Sequence, residues 1–225
     1  MTTLEIAVTT VEDAVNAAEG GAESVELSFN LAMGGLTPTN EMIMAVRSAI
    51  SIPLYVILRP QGETFRYTEA EVTAMMPRLE HMKRVGIEGV VFGAVDDSGV
   101  IDVALMKMLV AEAAPLPVTL HRALDMSREP EAALAALAGI VPRVLTSGPA
   151  ATAWEGREGL RGWIEQFGEQ YTVVSSGSLT VEQLAEYIRL VQPDTVHLGS
   201  AARTNGVVNV EKVRQLKVIT DASGG

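Results

Sequence analysis

Eight short runs of apolar, β-branched residues recur along the chain, each followed by a longer stretch with helical spacing. Runs at residues 4–8, 24–28, 53–58, 89–92, 117–121, 143–146, 171–175 and 195–198 have the length and composition of strands. Helical patterns occupy 11–19, 40–49, 69–85, 103–113, 129–138, 154–167 and 181–190, with room for a last helix near 210–216. This repeat has the length of one β/α unit, and eight in succession specify a closed barrel more readily than an open sheet. No Gly-x-Gly-x-x-Gly follows the first run, so the main signal of a dinucleotide-binding sheet is missing. Local signals agree. Thr68 and Thr180 sit at N-cap positions before acidic first turns, and Gly86 and Gly139 follow helical runs. The expectation is an α/β fold, a parallel (β/α)8 TIM-type barrel. It would be one domain over residues 1–225, with a frayed tail at 221–225.

Composition narrows what such a barrel can do. The net charge of −11 opposes phosphate backbones, which argues against a nucleic-acid partner, although a few arginines in a cleft can still hold a small anion. No apolar run reaches the ~20 residues of a membrane span, and the N-terminus lacks the pattern of a secretory signal, so a cytoplasmic location is expected. Cysteine is absent, which removes disulfides, thiolate nucleophiles and thiolate metal ligands.

Barrel strands are buried on both faces, so polar residues within them need a partner or a task. Glu5 in the first run and Glu26 in the second interrupt apolar sequence; by the two-residue period Glu5 shares a face with Ala7, and Glu26 with Ser28. Arg59 ends the third run. Thr119 and His121 share a face of the fifth, followed by Arg122 and Asp125. Glu5, Glu26, Arg59, His121, Arg122 and Asp125 are therefore the candidate catalytic set, with the arginines holding an anion and Glu5, Glu26 or His121 moving protons. The alternative is structural: the two carboxylates pair with Arg59 or Arg122 and brace the barrel mouth. His81 lies in a charged helical stretch and reads as solvated, whereas His197 fits either core or site.

The ends of the last strands carry small residues. Thr146, Ser147 and Gly148 close the sixth run, Ser176 and Gly177 the seventh, and Gly199 and Ser200 the eighth. Such loops bind phosphate or carboxylate through backbone N–H groups, though glycines also simply permit tight turns. Lys83, Lys107, Lys212 and Lys217 all lie in helical or C-terminal segments, so a Schiff-base mechanism is not expected. Without a His-Glu-x-x-His or a histidine cluster, no metal site is expected from the residues alone.

Taken in order, several segments resemble the CutC family, described as copper homeostasis proteins. They are Leu4-Glu5-Ile6, Val25-Glu26-Leu27 with Gly34-Gly35-Leu36-Thr37-Pro38, and Leu58-Arg59-Pro60. Gly89-Val90-Val91-Phe92-Gly93, His121-Arg122-Ala123-Leu124-Asp125-Met126 and Leu145-Thr146-Ser147-Gly148 continue the series. The resemblance implies a β/α barrel, a homo-dimer or tetramer, and copper as ligand. It places the family's copper-binding cysteines at Ala7 and Ser28, neither of which offers the soft sulfur that Cu(I) prefers. Met33 and Met126 are the remaining sulfur candidates near strand ends. Three functions follow: a barrel acting on a small anionic, perhaps phosphorylated, metabolite; a copper-handling protein; or a non-catalytic oligomer working through a protein partner.

Overall fold

Alternate residues along the first strand meet two different environments, and this sets the architecture. In β1 (Thr3–Val8), Leu4, Ile6 and Val8 are fully buried in the apolar layer shared with the helices. Glu5 and Ala7 point to the barrel axis instead. The computed structural model describes residues 1–223. Its strands β1, β2 (Ser24–Leu27), β3 (Leu54–Ile57), β4 (Gly89–Phe92), β5 (Val118–Leu120), β6 (Arg143–Thr146), β7 (Thr172–Ser176) and β8 (Thr195–Leu198) form a closed barrel in sequence order. Neighbours pair in parallel throughout, and β8 closes on β1. The fold is the expected (β/α)8 barrel.

Between the strands run α1 (Val11–Glu19), α2 (Asn40–Ala49), α3 (Glu69–Val85), α4 (Val103–Ala113), α5 (Pro130–Leu137), α6 (Ala153–Phe167) and α7 (Val181–Val191). Side chains cap most of them: Thr10, Thr39, Asp102 and Thr152 each accept a backbone N–H of the first turn, and Thr68 forms a full capping box with Glu71. Gly86 ends α3 at φ 74°, a left-handed conformation that suits glycine. Each helix then buries one stripe. In α7 that stripe is Leu184, Tyr187, Ile188 and Val191, each such side chain worth about 1.5–3 kcal/mol on burial.

The end of the chain differs from the sequence expectation in two respects. The last helix, α8 (Val210–Ser223), continues through most of the expected tail, with Val213, Leu216 and Thr220 buried, while residues 224–225 lie outside the described residues. Before it, a small hairpin of β9 (Arg203–Thr204) and β10 (Val207–Val208) turns through Asn205-Gly206. Buried Asp13 of α1 fastens this hairpin, accepting from Arg203 at 3.0 Å and from the Val208 N–H at 2.9 Å.

Candidate functional site

Register brings the axis-facing polar residues into two levels. On β1, Glu5 lies opposite Ser24 on one side and His197 on the other, while Ala7 lies opposite Glu26. The lower level is an ion network. Glu5 Oε2 accepts from Arg143 at 2.6 Å and from the Ser24 hydroxyl at 2.9 Å, and Glu5 Oε1 accepts from His197 Nδ1 at 2.9 Å. Arg143 reaches Thr119 Oγ1 with its other terminal nitrogen and lies over the Tyr55 ring at 4.1 Å. Burial opposes the Glu5 charge, but Arg143 and then His197 outweigh it and hold the carboxyl at about 2. The sequence reading offered Arg59 or Arg122 as carboxylate partners. The partner is Arg143, from the strand across the barrel.

Above this floor, at the carboxyl ends of the strands, lies a cavity of about 180 Å³. Glu26, Ser28, His121, Arg122, Ser176 and His197 supply its polar lining; Leu31, Ile57, Phe65 and Leu145 supply the apolar part. Three buried polar atoms of this lining have no hydrogen-bond partner: Glu26 Oε2, Ser28 Oγ and His121 Nε2. Leaving such groups unmatched costs of the order of 1–3 kcal/mol each, so their occurrence on three residues around one cavity needs an explanation. Burial raises the Glu26 carboxyl above its ordinary value, only partly offset by His197. Burial also opposes a charge on His197, but Glu26 and the bond to Glu5 prevail, and its value rises.

His121 behaves in the opposite way. Burial first, and the Arg59 charge second, push it down to about 3, so the ring is neutral at ordinary pH. Its place is set by contacts on two sides. The Phe65 ring packs against it at 4.7 Å, and a Cβ at residue 93 would come within 2.7 Å of Nδ1, so only glycine fits there. Phe65 in turn lies under the Arg59 guanidinium at 4.4 Å.

The other candidates have structural surroundings. Arg59 does not line the cavity. Its terminal nitrogens donate to the carbonyls of Met33 and Gly35 in the β2–α2 loop and of Gly62 in the β3–α3 loop. Asp125 is spent on the β6–α6 loop, accepting from Thr146, from the Ser147 hydroxyl and N–H, and from Arg122 Nε. Gly148 N donates to Thr146 Oγ1 in the same clamp. Gly177 has φ 129°, and a Cβ there would meet Ser147 Cβ at 2.9 Å, so it serves close packing of two loops. Gly199 and Ser200 begin a short 3-10 turn and do not line the cavity. Sequence reasoning singled out Glu5, Glu26, His121, Arg122 and Ser176, left His197 open, and missed Arg143, Ser24 and Phe65.

Glu5, Glu26 and His197 each offer an atom within 4.8 Å of the others, the spacing of a cation site. For Cu(I) the donors do not fit. Carboxylate and imidazole are hard or borderline ligands, and the cavity lining includes no sulfur. Met33 is 43% and Met126 69% exposed, and neither belongs to that lining.

Fold and cavity together define a parallel β/α barrel protein with a small, partly unsatisfied polar chamber at the carboxyl ends of its strands. The CutC family profile matches residues 2–202, and the chain belongs to the CutC family. A family protein CutC of Xanthomonas campestris pv. campestris (strain B100) is 40% identical over 222 residues, covering 98% of this chain and 91% of that protein. The copper homeostasis protein cutC homolog of Homo sapiens is 40% identical over 182 residues, 80% of this chain and 67% of its own length. Among solved structures, a CutC protein from Streptococcus agalactiae superposes with a TM-score of 0.83 at 21% identity, over 89% of this chain and 99% of that one. Phosphoribosylanthranilate isomerase from Thermotoga maritima shares the fold, with a TM-score of 0.67 at 17% identity over 98% of this chain and 99% of its own. No helix among the described residues is long and apolar enough to cross a membrane.

Proposed function

We propose that the chamber binds a small anionic metabolite, which enters over Arg122 and meets Glu26, Ser28 and His121 inside. The observation that carries this reading is that three residues lining one cavity each have a buried polar atom without a partner among the described residues. At about 180 Å³ the space is below the ~300–1,000 Å³ of drug-sized pockets, which favours a compact metabolite over a nucleotide. Arg122 suits the rim. Its side chain is 41% exposed, and it is anchored through Nε and Nη2 to Asp125, Ser147 and Ala151. A guanidinium held this way keeps its remaining donors for a carboxylate or phosphate.

Thermal-shift screening against small carboxylates and sugar phosphates tests the reading. A true ligand at about 100 times its Kd should raise Tm by roughly 5–10 °C for a chain of this size. In Arg122→Ala, measured against its own ligand-free Tm, most of that shift should disappear. A panel with no stabilising member removes the proposal.

The name carried by the human relative supports a second reading, copper handling. The residues in this chain weigh against Cu(I) at the barrel mouth, because Ala7 and Ser28 stand where thiolates would be needed. Titration with Cu(I) against a competing chelator should give an affinity no better than that of an unrelated cysteine-free protein.

A further inference from the structure

His121 has a defined tautomer. Its Nδ1 accepts the Ala123 N–H at 3.2 Å, so the neutral ring carries its proton on Nε2. His121 lines the chamber, and its buried Nε2 has no hydrogen-bond partner among the described residues. Three strands away around the barrel, Glu26 lines the same 180 Å³ and also has a buried carboxyl oxygen without a partner. A neutral imidazole donor and a carboxyl with an unpartnered oxygen, on two residues that line one small space, are the two groups that enolisation requires. The donor takes up charge developing on a carbonyl oxygen, and the carboxylate takes the proton from the adjacent carbon. The lysines lie in α3, α4 and α8, away from this chamber, so an imine route has no amine to use.

We propose that the chamber takes a small carbonyl compound bearing an acidic α C–H, and that Glu26 and His121 interconvert it with its enol. The α C–H bond breaks and its proton passes to a carboxylate oxygen of Glu26. The electron pair becomes the C=C bond, and the carbonyl oxygen takes the negative charge under His121 Nε2–H. Return of a proton to the same carbon gives exchange or epimerisation; where that carbon bears a hydroxyl, return of the proton to the former carbonyl carbon, with the hydroxyl proton passing to the former carbonyl oxygen, gives isomerisation through the enediol. No other reactant is needed. Ser28, a lining residue whose Oγ is the third unpartnered atom, binds a hydroxyl of the same molecule in this scheme. His197, whose Nδ1 is held by Glu5, has a ring nitrogen near Glu26 and acts as a positioning residue for its carboxyl. The inference rests on the binding reading above and adds the substrate class and the reaction to it.

The experiment incubates the protein in heavy water with pyruvate, hydroxypyruvate, glycolaldehyde and dihydroxyacetone, following loss of the α C–H signal by proton NMR. Thermal shift is measured on the same samples. At least one probe should exchange about 100-fold faster than in buffer. Glu26→Gln should return that rate to the buffer level, and His121→Gln, which keeps an N–H donor, should retain part of it. Probes that stabilise the protein yet exchange at the buffer rate overturn the enolisation chemistry and leave the binding reading standing. Exchange that persists in Glu26→Gln overturns the assignment of the base. Probes that neither bind nor exchange, alongside a negative ligand panel, remove both readings.

Discussion

Glu5 and Glu26 are the same side chain on adjacent strands, and both point to the barrel axis, yet they occupy opposite chemical settings. Glu5 accepts from Arg143, Ser24 and His197, and its carboxyl is held at about 2. Glu26 sits one level higher with an unpartnered oxygen, and burial raises it. The difference arises from height along the axis. At the level of Glu5, Arg143 of β6 reaches the carboxyl at 2.6 Å. At the level of Glu26, Oε2 has no hydrogen-bond partner among the described residues, and His197 nearby only partly offsets the effect of burial. One carboxylate thus belongs to the scaffold and the other to the chamber.

Substitution should separate them most clearly. Glu5→Gln, or Arg143→Met, leaves a buried charge uncompensated and should cost about 3–5 kcal/mol, read as a lower urea midpoint. Glu26→Gln removes a carboxyl whose burial is only partly offset by His197, and it should leave stability within about 1 kcal/mol of the parent. Equal losses at both positions would erase the distinction.

Acid titration sharpens it with a sign. The folded value of Glu5 lies below its ordinary 4.5, so its contribution is present above pH 4.5 and is lost as pH falls towards 2. A displacement of this size corresponds to about 3 kcal/mol, and Glu5→Gln should flatten that acid limb of the stability profile. Glu26 is displaced upward, so it favours the fold while protonated, and that contribution declines as pH rises above 4.5 through its folded value. Glu26→Gln should therefore gain on the parent towards neutral pH. Denaturant midpoints at several pH values check both limbs.

The smallest expected effect concerns His121. Nitrogen-15 NMR should show a neutral ring protonated at Nε2 down to about pH 4, since its titration lies near 3. Arg59→Met should move that titration upward, because the Arg59 charge is the second cause of the depression after burial.

The barrel was legible because its signal is local and repeated. Apolar runs of strand length, helical periods and Thr caps each reported their own element, and the structure places them within a residue or two, except that α8 runs seven residues further than expected. The hairpin through Asn205-Gly206 carried a readable turn signal as well, but its strands have two residues each and no alternation to display. The site was legible only by face. Period-two spacing put Glu5 with Ala7, Glu26 with Ser28 and His121 with Thr119 on shared faces, yet spacing along a strand says nothing about what arrives from the far side. Arg143 was hidden for that reason, as an ordinary charged residue at a strand start. Arg59 and Asp125 carried the right chemistry at strand ends, but their partners are backbone and hydroxyl groups of loops whose paths no pattern records. Phe65 lies in a loop and gave no signal at all.

The guanidinium of Arg59 joins two loops through their carbonyls and, by way of Phe65, overlooks the His121 ring. Two traits are therefore inherited together. A change that loosens the entrance of the barrel also alters how readily the imidazole beneath it accepts a proton. Access and reactivity in this protein cannot drift apart one residue at a time; to widen the doorway is to retune what happens behind it.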